Sequence, residues 1–447
     1  YRRYLQGFGG ANFQRLVAEC LKGDCEGMTS QEVSRDAVSG GPEDMLRPST
    51  FSYRFDQAIR GMLYVYICSL PFSGLLFIER NGFILLTVMM VIWCAVNRRH
   101  FFCRTPVDFP LAAFVLWVGV SVPFSASPAY SFGEFAKLLQ QALIFYWVMY
   151  FFQDSKDKLR IMVLFLGILI ATGLYGIWQF DPGKVSAIKA FLGSEVALTT
   201  YLIMSLPLSV SVAVYAREHL LRTLGASAAV LSIVCQLFTF SRAGMFALFV
   251  EAIALAGLVR SRLIVIAVGI VLAISLSAAG VLLYIGDQSK LPFIPVKSKM
   301  TTYNLESRFK AWELGIEKVS EHPFLGSGYG KNMFQQIAQP QLDQNAEVPM
   351  ADGTHNTLLD VTVGAGIPAG IAFLWLMWTI GRTGLSQFLD IQDSTERIWS
   401  GALFLMVIGL FIRLFFDHMW VGSLAVMFWV MVGMTVKPLR LRLWKLT

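Results

Sequence analysis

Long apolar segments recur along this chain from Ala58 to Val436, each bounded by charged residues or by residues that favour turns. A membrane-spanning helix needs about 20 consecutive apolar residues to cross roughly 30 Å of hydrocarbon. Only 15% of the residues are charged, against about 25% in ordinary soluble domains. The sequence therefore predicts an all-helical, polytopic membrane protein with about twelve transmembrane helices.

The positions of the apolar segments and of the positive charges fit together. The predicted helix cores are residues 58–78, 81–97, 109–124, 134–152, 159–180, 196–216, 223–240, 242–259, 263–285, 356–380, 398–416 and 420–436. Lys and Arg concentrate in cytoplasmic connections. If the N-terminus is cytoplasmic, the short outside connections hold only Arg80, Lys184, Lys189 and Arg242, so both termini are predicted inside.

These boundaries divide the chain into five regions. Residues 1–57 form a cytoplasmic N-terminal tail, and residues 58–285 hold the first nine helices. Residues 286–354 form a long periplasmic loop, residues 355–436 hold the last three helices, and residues 437–447 form a basic cytoplasmic tail. A loop of this length is usually functional or has a fold of its own, so we expect the site within or beside it.

The periplasmic loop contains a predicted amphipathic helix of about four turns. Phe309, Trp312, Ile316 and Val319 recur at three- and four-residue spacing, with charged residues on the other faces. A helix of this kind beside a membrane is expected to lie in the interface, with Trp312 at the depth of the lipid headgroups.

Two arginines fall on the predicted outer side, where positive residues are sparse. Arg242 lies in a sharp turn between the seventh and eighth predicted helices, and Arg308 opens the loop helix after Ser307, a predicted N-cap. A guanidinium suits phosphate, and the free amides of a helix start favour an anion. Both arginines, with Lys310, are therefore candidate anion-binding residues. The alternatives are a helix-end anchor for Arg242 and stacking of Arg308 on Trp312.

His355 stands where the long loop re-enters the membrane. A neutral imidazole can accept a proton, as the activation of a sugar hydroxyl requires; the alternative is a capping or interfacial polar residue. Asp360 on the same helix can orient or charge-balance the site, or simply bond to Asn356 one turn away. Arg413 and Asp417, at the outer end of the eleventh helix, predict a structural ion pair at i, i+4 spacing.

No metal or cofactor site stands out. The sequence contains no Asp-x-Asp, and its six cysteines form no zinc-like pairs. The segment 326–330 resembles a phosphate-binding loop only superficially, since no Gly-Lys-Ser/Thr follows it, so it predicts a turn. The net charge of +7 is better explained by membrane topology than by nucleic acid. We expect no metal, no cofactor and no nucleic-acid partner.

Three stretches together resemble the O-antigen ligase and polymerase superfamily. They are Ser241-Arg242-Ala243-Gly244, the Arg308-x3-Trp312 helix that leads into His322-Pro323-Phe324-Leu325-Gly326-Ser327-Gly328, and His355-Asn356-x-x-Leu359 before a span. Their order, spacing and shared outer location make the combination specific, and the similarity is strongest from about residue 225 to 380. Val363 occupies a position where some relatives are expected to carry an acidic residue, which leaves the branch of the superfamily open.

The resemblance implies a glycosyltransferase of the metal-independent GT-C type in the bacterial inner membrane, with its active site facing the periplasm. It implies a glycan donor linked to undecaprenyl diphosphate and, in the ligase branch that the layout favours, lipid A-core as the acceptor. It also implies catalytic roles for Arg242, Arg308 and His355. Lys310, Trp312 and Asp360 are added on physical grounds as substrate-binding residues.

Other functions remain open at this point. An O-antigen polymerase would use the same donor with a lipid-linked acceptor, and a protein O-oligosaccharyltransferase would deliver the glycan to protein. A polysaccharide transporter is a further alternative. It predicts two related halves with interrupted helices in matching positions, and no such repeat is visible in the sequence.

Overall fold

The computed structural model describes residues 50–180, 187–259, 298–342, 353–417 and 422–439, together with positions 269 and 277. The described residues form helices and turns, with no strand among them. The helices are α1 (Thr50–Ser69), α2 (Leu76–Asn97), α3 (Asp108–Ser121), α4 (Pro128–Phe151), α5 (Ser155–Gln179), α6 (Glu195–Tyr215), α7 (His219–Phe238), α8 (Arg242–Leu258), α9 (Ser298–Glu321), α10 (Met333–Leu342), α11 (Thr357–Asp390), α12 (Ser394–Leu414) and α13 (Gly422–Thr435).

The chain divides into two units, residues 1–58 and residues 59–447. Of the first unit the structure describes the beginning of α1. The second unit holds the remaining helices, and its centre contains the largest fully buried side chains, among them Trp399, Trp429 and Tyr201. The helices α6, α12 and α13 that carry these residues are buried on most sides, so they show little amphipathic pattern.

Every predicted apolar segment except the ninth overlaps an observed helix. The ninth segment, apart from positions 269 and 277, lies outside the described residues, as do residues 1–49 and 440–447 of the two tails. Six described helices are long and apolar enough to cross a membrane, and two shorter helices are apolar as well. These features indicate a multi-pass membrane protein; the number of twelve spans and the GT-C fold stay predictions.

The first predicted helix is too long at its C-terminal end. It was expected to reach residue 78, but α1 ends at Ser69 and a single 3-10 turn, Ser73–Leu75, leads into α2. Pro71 lies in this connection. Proline has no amide to donate and disfavours the helical conformation of the residue before it, so the apolar segment is broken there into two helices.

Helix α11 is broken near its start. Gly366 has φ of 85° and ψ of 170°, and the helix resumes after it and continues to Asp390, beyond the predicted end at residue 380. The interruption is filled by residues 323–330, here called the strap. Three backbone hydrogen bonds join the two segments: Ser327 N to Val363 O (2.8 Å), Gly328 N to Gly364 O (2.9 Å) and Ile367 N to Pro323 O (2.8 Å).

The contact between the strap and α11 leaves no room for a side chain. A Cβ atom on Gly326, whose φ is +67°, would lie 2.4 Å from the carbonyl carbon of Gly364. Trp117 of α3 secures the junction, since its indole N–H lies 3.1 Å from both Phe324 O and Ala365 O. The predicted turn over residues 326–330 is therefore a docked segment that satisfies the backbone groups freed by the helix break.

The loop helix α9 begins earlier than predicted. It begins at Ser298, so Ser307 is not an N-cap and Arg308 does not open the helix; no glycine or proline interrupts the preceding residues, and the helix extends back through them. Phe309 and Ile316 of its predicted apolar face are exposed, whereas Ala311 is fully buried, because small residues allow α9 to pack closely on α11. The position of the apolar face in the membrane interface stays a prediction.

Candidate functional site

Arg242 is positioned by a sharp turn between two helices. Helix α7 ends at Phe238, and Phe240 takes a left-handed conformation with φ of 52°. The Ser241 hydroxyl then caps α8 by accepting from Gly244 N at 3.2 Å. Arg242 is the first residue of α8 and its side chain is exposed. The predicted sharp turn is confirmed, and it combines a guanidinium with the positive end of a helix dipole.

Arg308 lies half-buried on α9 within the electrostatic reach of three other charged side chains. Burial lowers the pKa of Arg308, the carboxylate of Asp417 raises it, and the charges of Arg413 and Arg242 lower it further. The guanidinium nevertheless stays charged at neutral pH. Within the part of the chain that the structure describes, neither Arg308 nor Arg242 forms an ion pair with a carboxylate, so both are available to an anion.

Asp417 connects this arginine group to His355. Its carboxylate accepts from the Arg413 guanidinium at 2.7 Å, which confirms the predicted i, i+4 pair. Its other oxygen lies 3.7 Å from His355 Nδ1. The Thr357 hydroxyl donates to the backbone carbonyl oxygen of Asp417 at 2.8 Å. This hydrogen bond joins the segment after α12 to the start of α11. A protonated imidazole at this position would therefore face a buried carboxylate.

His355 itself is held in a tight turn before α11. It has φ of 51°, a conformation that costs free energy for any residue other than glycine and that recurs at functional sites. Asn356 caps α11 by accepting from Leu359 N at 3.1 Å. The turn places the imidazole at the helix start, where it remains about one-fifth exposed.

The side chains around this turn form a second hydrogen-bonded group. The Thr354 hydroxyl donates to Asp360 Oδ1 at 2.7 Å, and the Trp312 indole N–H donates to Thr354 O at 2.7 Å. The charges of His355 and Asp417 act on the Asp360 carboxylate. The side chain of Asp360 therefore bonds to Thr354. Asn356 is contacted by the backbone N–H of Asp360 only, which donates to the Asn356 carbonyl oxygen.

The structure brings most of the sequence-predicted residues into one neighbourhood. Arg308 lies within the electrostatic reach of both Arg242 and Asp417, and Asp417 contacts His355. Asp360 and Trp312 border His355 through Thr354. Lys310 is exposed, and no ion pair joins it to this group among the described residues. The predicted stacking of Arg308 on Trp312 is likewise not seen in the described part of the chain.

Sequence reasoning missed the contribution of Arg413 and Asp417 to the site. Their spacing predicts an ion pair, and an ion pair is sufficient to explain both residues. The contact of Asp417 with His355 joins a residue just after α12 to one just before α11, and the sequence carries no local signal for it. The described residues bring no three His, Cys, Asp or Glu side chains together in an arrangement that could hold a metal ion.

The site can perform two kinds of chemistry. Two arginines without carboxylate partners can stabilise a multiply charged anion such as a diphosphate. An imidazole facing a buried carboxylate can accept a proton and keep the resulting charge compensated. Together the two groups suit the displacement of an anionic leaving group by a hydroxyl nucleophile.

Comparison with known proteins supports the family resemblance seen in the sequence. A family model described as O-antigen ligase matches residues 227–374, about a third of the chain. The matched range contains Arg242, Arg308 and His355, whereas Arg413 and Asp417 lie beyond its end. The resemblance to the O-antigen ligase and polymerase superfamily is therefore confirmed. No curated protein matches the chain.

Proposed function

We propose that this chain, whose residues 227–374 carry an O-antigen ligase family domain, is an O-antigen ligase of the bacterial inner membrane. It transfers O-antigen polysaccharide from undecaprenyl diphosphate to lipid A-core at the periplasmic face, with both termini in the cytoplasm. The observation that carries the proposal is the proximity of two arginines without carboxylate partners to a histidine that faces Asp417.

The arginines bind the donor. A glycan on a lipid diphosphate cannot leave the bilayer, so its diphosphate must meet the enzyme at the membrane edge. When the bond from the anomeric carbon to the diphosphate oxygen breaks, its electron pair moves onto that oxygen. Arg242 and Arg308 stabilise the charge that develops there, and their effect is strongest in the transition state because the charge on that oxygen grows as the bond breaks.

His355 receives the proton of the acceptor. As the acceptor hydroxyl oxygen bonds to the anomeric carbon, its proton moves to the imidazole, and attack opposite the leaving diphosphate inverts the anomeric configuration. Asp417, 3.7 Å from His355 Nδ1, compensates the imidazolium, so the ring nitrogen Nε2 is the one expected to face the hydroxyl. A general base of this kind contributes about 100- to 10,000-fold to the rate.

The remaining predicted residues act around this pair. Trp312 is a positioning residue, because its indole holds the Thr354 carbonyl next to His355. Asp360 contributes to binding of the acceptor. Lys310, on the exposed face of α9, adds a positive charge that attracts the diphosphate of the donor. These roles rest on the same arrangement and need no metal or cofactor.

A reconstituted transfer reaction tests the proposal. Purified protein in lipid nanodiscs is supplied with a lipid-linked glycan donor and lipid A-core in EDTA, and the product is followed by gel mobility. We expect transfer by the wild type, and loss of transfer with intact folding in His355→Ala. The matched control is His322→Ala, an exposed histidine of the same loop, which should retain activity. Full activity of His355→Ala would remove the histidine from the mechanism.

The same reaction separates ligase from polymerase. A single donor is offered either lipid A-core or a second lipid-linked repeat, and the products are compared on one gel. A ligase converts lipid A-core, whereas a polymerase produces a ladder of lipid-linked repeats without it. A ladder alone would contradict the ligase assignment while leaving the roles of the arginines and the histidine intact.

A further inference from the structure

The turn that carries Arg242 is held by a side-chain hydroxyl as well as by backbone hydrogen bonds. Thr239 is the first residue after α7 and is buried. Its hydroxyl donates to the Gln236 carbonyl oxygen at 2.7 Å, and it accepts from Gln236 Nε2 at 3.2 Å and from Ser241 N at 3.4 Å. A hydroxyl has one donor and two acceptor positions, so this hydroxyl is fully used within the turn.

Gln236 inserts its side-chain amide between the two sides of the turn. The residue lies in the last turn of α7 and is 1% exposed. Besides bonding to Thr239, the amide fills the space in front of Gly244 in the first turn of α8, where a Cβ atom would lie 2.2 Å from Gln236 Nε2. The amide therefore joins the end of α7 to the start of α8.

Packing alone does not explain a glutamine at this position. Its Oε1 has no hydrogen-bond partner among the described residues, and burying a half-satisfied amide costs free energy that an apolar side chain of similar length avoids. A methionine would fill the same space without that cost. The bond from Nε2 to the Thr239 hydroxyl is a contribution that methionine cannot make.

The turn needs support because its central residue is strained. Phe240 has φ of 52°, a left-handed conformation that is unfavourable for a bulky residue and that persists where the surrounding structure holds it. The Ser241 amide donates to the Thr239 hydroxyl across Phe240. Without this bond and the amide behind it the turn can relax, and the relaxation would displace Arg242, the first residue of α8, relative to Arg308.

We propose that Gln236 and Thr239 are positioning residues for Arg242. They hold the turn between α7 and α8 in its strained conformation, so that the guanidinium of Arg242 stays where it binds the diphosphate of the donor. Both side chains are buried, and their effect on the reaction passes through the arginine. This proposal rests on the glycosyltransferase function proposed above.

Transfer kinetics of Gln236→Met and Thr239→Val tests the proposal. Each substitution roughly keeps the volume and removes the bond between the two side chains, and each is expected to lower kcat/KM for the donor about tenfold with an unchanged KM for the acceptor. Gln236→Met should keep the unfolding midpoint, because the Thr239 hydroxyl retains its bonds to Ser241 N and Gln236 O. Unchanged kinetics in both variants, or a midpoint that falls in parallel with transfer in Gln236→Met, overturns the proposal.

Two further threonine variants are the controls. Thr239→Ser keeps the hydroxyl and should transfer at close to the wild-type rate. Thr435→Val removes another fully buried hydroxyl, which donates to Met431 O at 2.9 Å on α13, and should leave the kinetics unchanged. If either control were impaired as much as Thr239→Val, the loss would not come from the turn and the proposal would be overturned.

A binding experiment separates positioning of the arginine from a general structural effect and does not require transfer. Undecaprenyl diphosphate without a glycan is titrated onto the protein in nanodiscs. Gln236→Met is expected to weaken binding by up to about tenfold in the wild-type background, and to have no further effect in Arg242→Ala, since the two residues act as one unit. Equal weakening in both backgrounds overturns the proposal. Coupled binding effects in a protein that transfers no glycan would overturn only the proposed function.

Discussion

Helix α12 carries a charged cluster at each end, and the two clusters differ in how their charges are paired. Glu396 lies in its first turn and Arg413 in its last, about 26 Å apart along the axis. At the first end, Glu396 contacts Lys158 at 2.9 Å and Lys437 at 3.6 Å. At the other end, Asp417 alone pairs with Arg413, while Arg308 and Arg242 have no carboxylate partner among the described residues.

This difference separates a structural cluster from a binding site. At the Glu396 end, the neighbouring Asp157 contacts both Arg60 and Arg160, so each of these cations meets a carboxylate. Such contacts tie helices together, and none of these four cations is without a carboxylate neighbour. At the Arg413 end, by contrast, two guanidiniums have no carboxylate partner among the described residues. A bound anion is the simplest reason for retaining them.

The largest expected effect comes from removing the two arginines that have no carboxylate partner among the described residues. Arg308→Ala should reduce kcat about 100- to 1,000-fold, as does the loss of one donor to a developing anion. Arg242→Ala combined with Arg308→Ala should reduce it further, to the detection limit of a transfer assay. Thermal unfolding should change little, because neither arginine holds a carboxylate in the described structure.

The matched control removes an arginine from the cluster at the Glu396 end of α12. Arg160 is exposed and pairs with Asp157 at 3.2 Å, and exposed pairs of this kind stabilise proteins by about 0 to 1 kcal/mol. Arg160→Ala should therefore leave both kcat and stability close to wild type. If Arg160→Ala and Arg308→Ala reduced transfer equally, the distinction between the two ends would be lost.

A second prediction breaks the buried pair at the structural end. Lys158 and Glu396 have side chains that are 5% and 7% exposed. Glu396→Gln leaves the Lys158 ammonium buried with a neutral partner, and the loss of one partner of a buried pair costs about 3–5 kcal/mol. The unfolding midpoint in detergent should drop, while kcat of the folded fraction should not change. A lower kcat with an unchanged midpoint would contradict a structural role.

The strap gives a third prediction, intermediate in size. Gly326→Ala places a Cβ atom against the Gly364 backbone in a conformation with φ of +67°, which should cost about 1–3 kcal/mol. Since the strap is hydrogen-bonded to α11, the helix that follows the His355 turn, stability and transfer should fall together. Gly257→Ala, at a helical position with no neighbouring atom within 4 Å, is the control and should be neutral or slightly stabilising.

The positions of the helices could be predicted from sequence because a long apolar segment is recognisable from its own residues, without knowledge of tertiary contacts. Helix ends were less certain, as α1 and α11 show, since a single proline or a tertiary hydrogen bond decides them. The start of α9 was misplaced for a related reason. Ser307 followed by Arg308 resembles a helix start, but the polar residues from 298 onwards have no feature that stops a helix.

The candidate site was predictable in its residue types and less so in its geometry. Arg242 and Arg308 stood out because positive residues are sparse on the predicted outer side, and His355 because an imidazole can accept a proton. The family resemblance implied a catalytic role for all three. The strap was missed because its contact with α11 is made by backbone atoms. The only trace of such a contact is the presence of glycines in both segments, at residues 326–330 and 364–366. Two glycine-rich segments in one membrane protein are a signal that their backbones meet.

The smallest effect on stability is expected when both residues of a buried ion pair are replaced. These double variants also give the most direct comparison of the two ends of α12. Lys158→Met with Glu396→Met removes both buried charges, and such replacements are often neutral or stabilising because the desolvation penalty disappears. Stability and transfer should both stay near wild type. Arg413→Met with Asp417→Met performs the same operation at the other end, where the pair is also buried, and should again preserve the unfolding midpoint.

Transfer should nevertheless fall in the second double variant, since His355 loses the carboxylate 3.7 Å from its Nδ1. The loss is expected to appear mainly in kcat, because Asp417 no longer orients the imidazole or compensates the charge that it gains with the proton. Comparable activity of the two double variants would mean that Asp417 is only a structural partner of Arg413. Equal stability with unequal activity would instead show that one helix carries a purely structural ion pair at one end and a pair used in catalysis at the other.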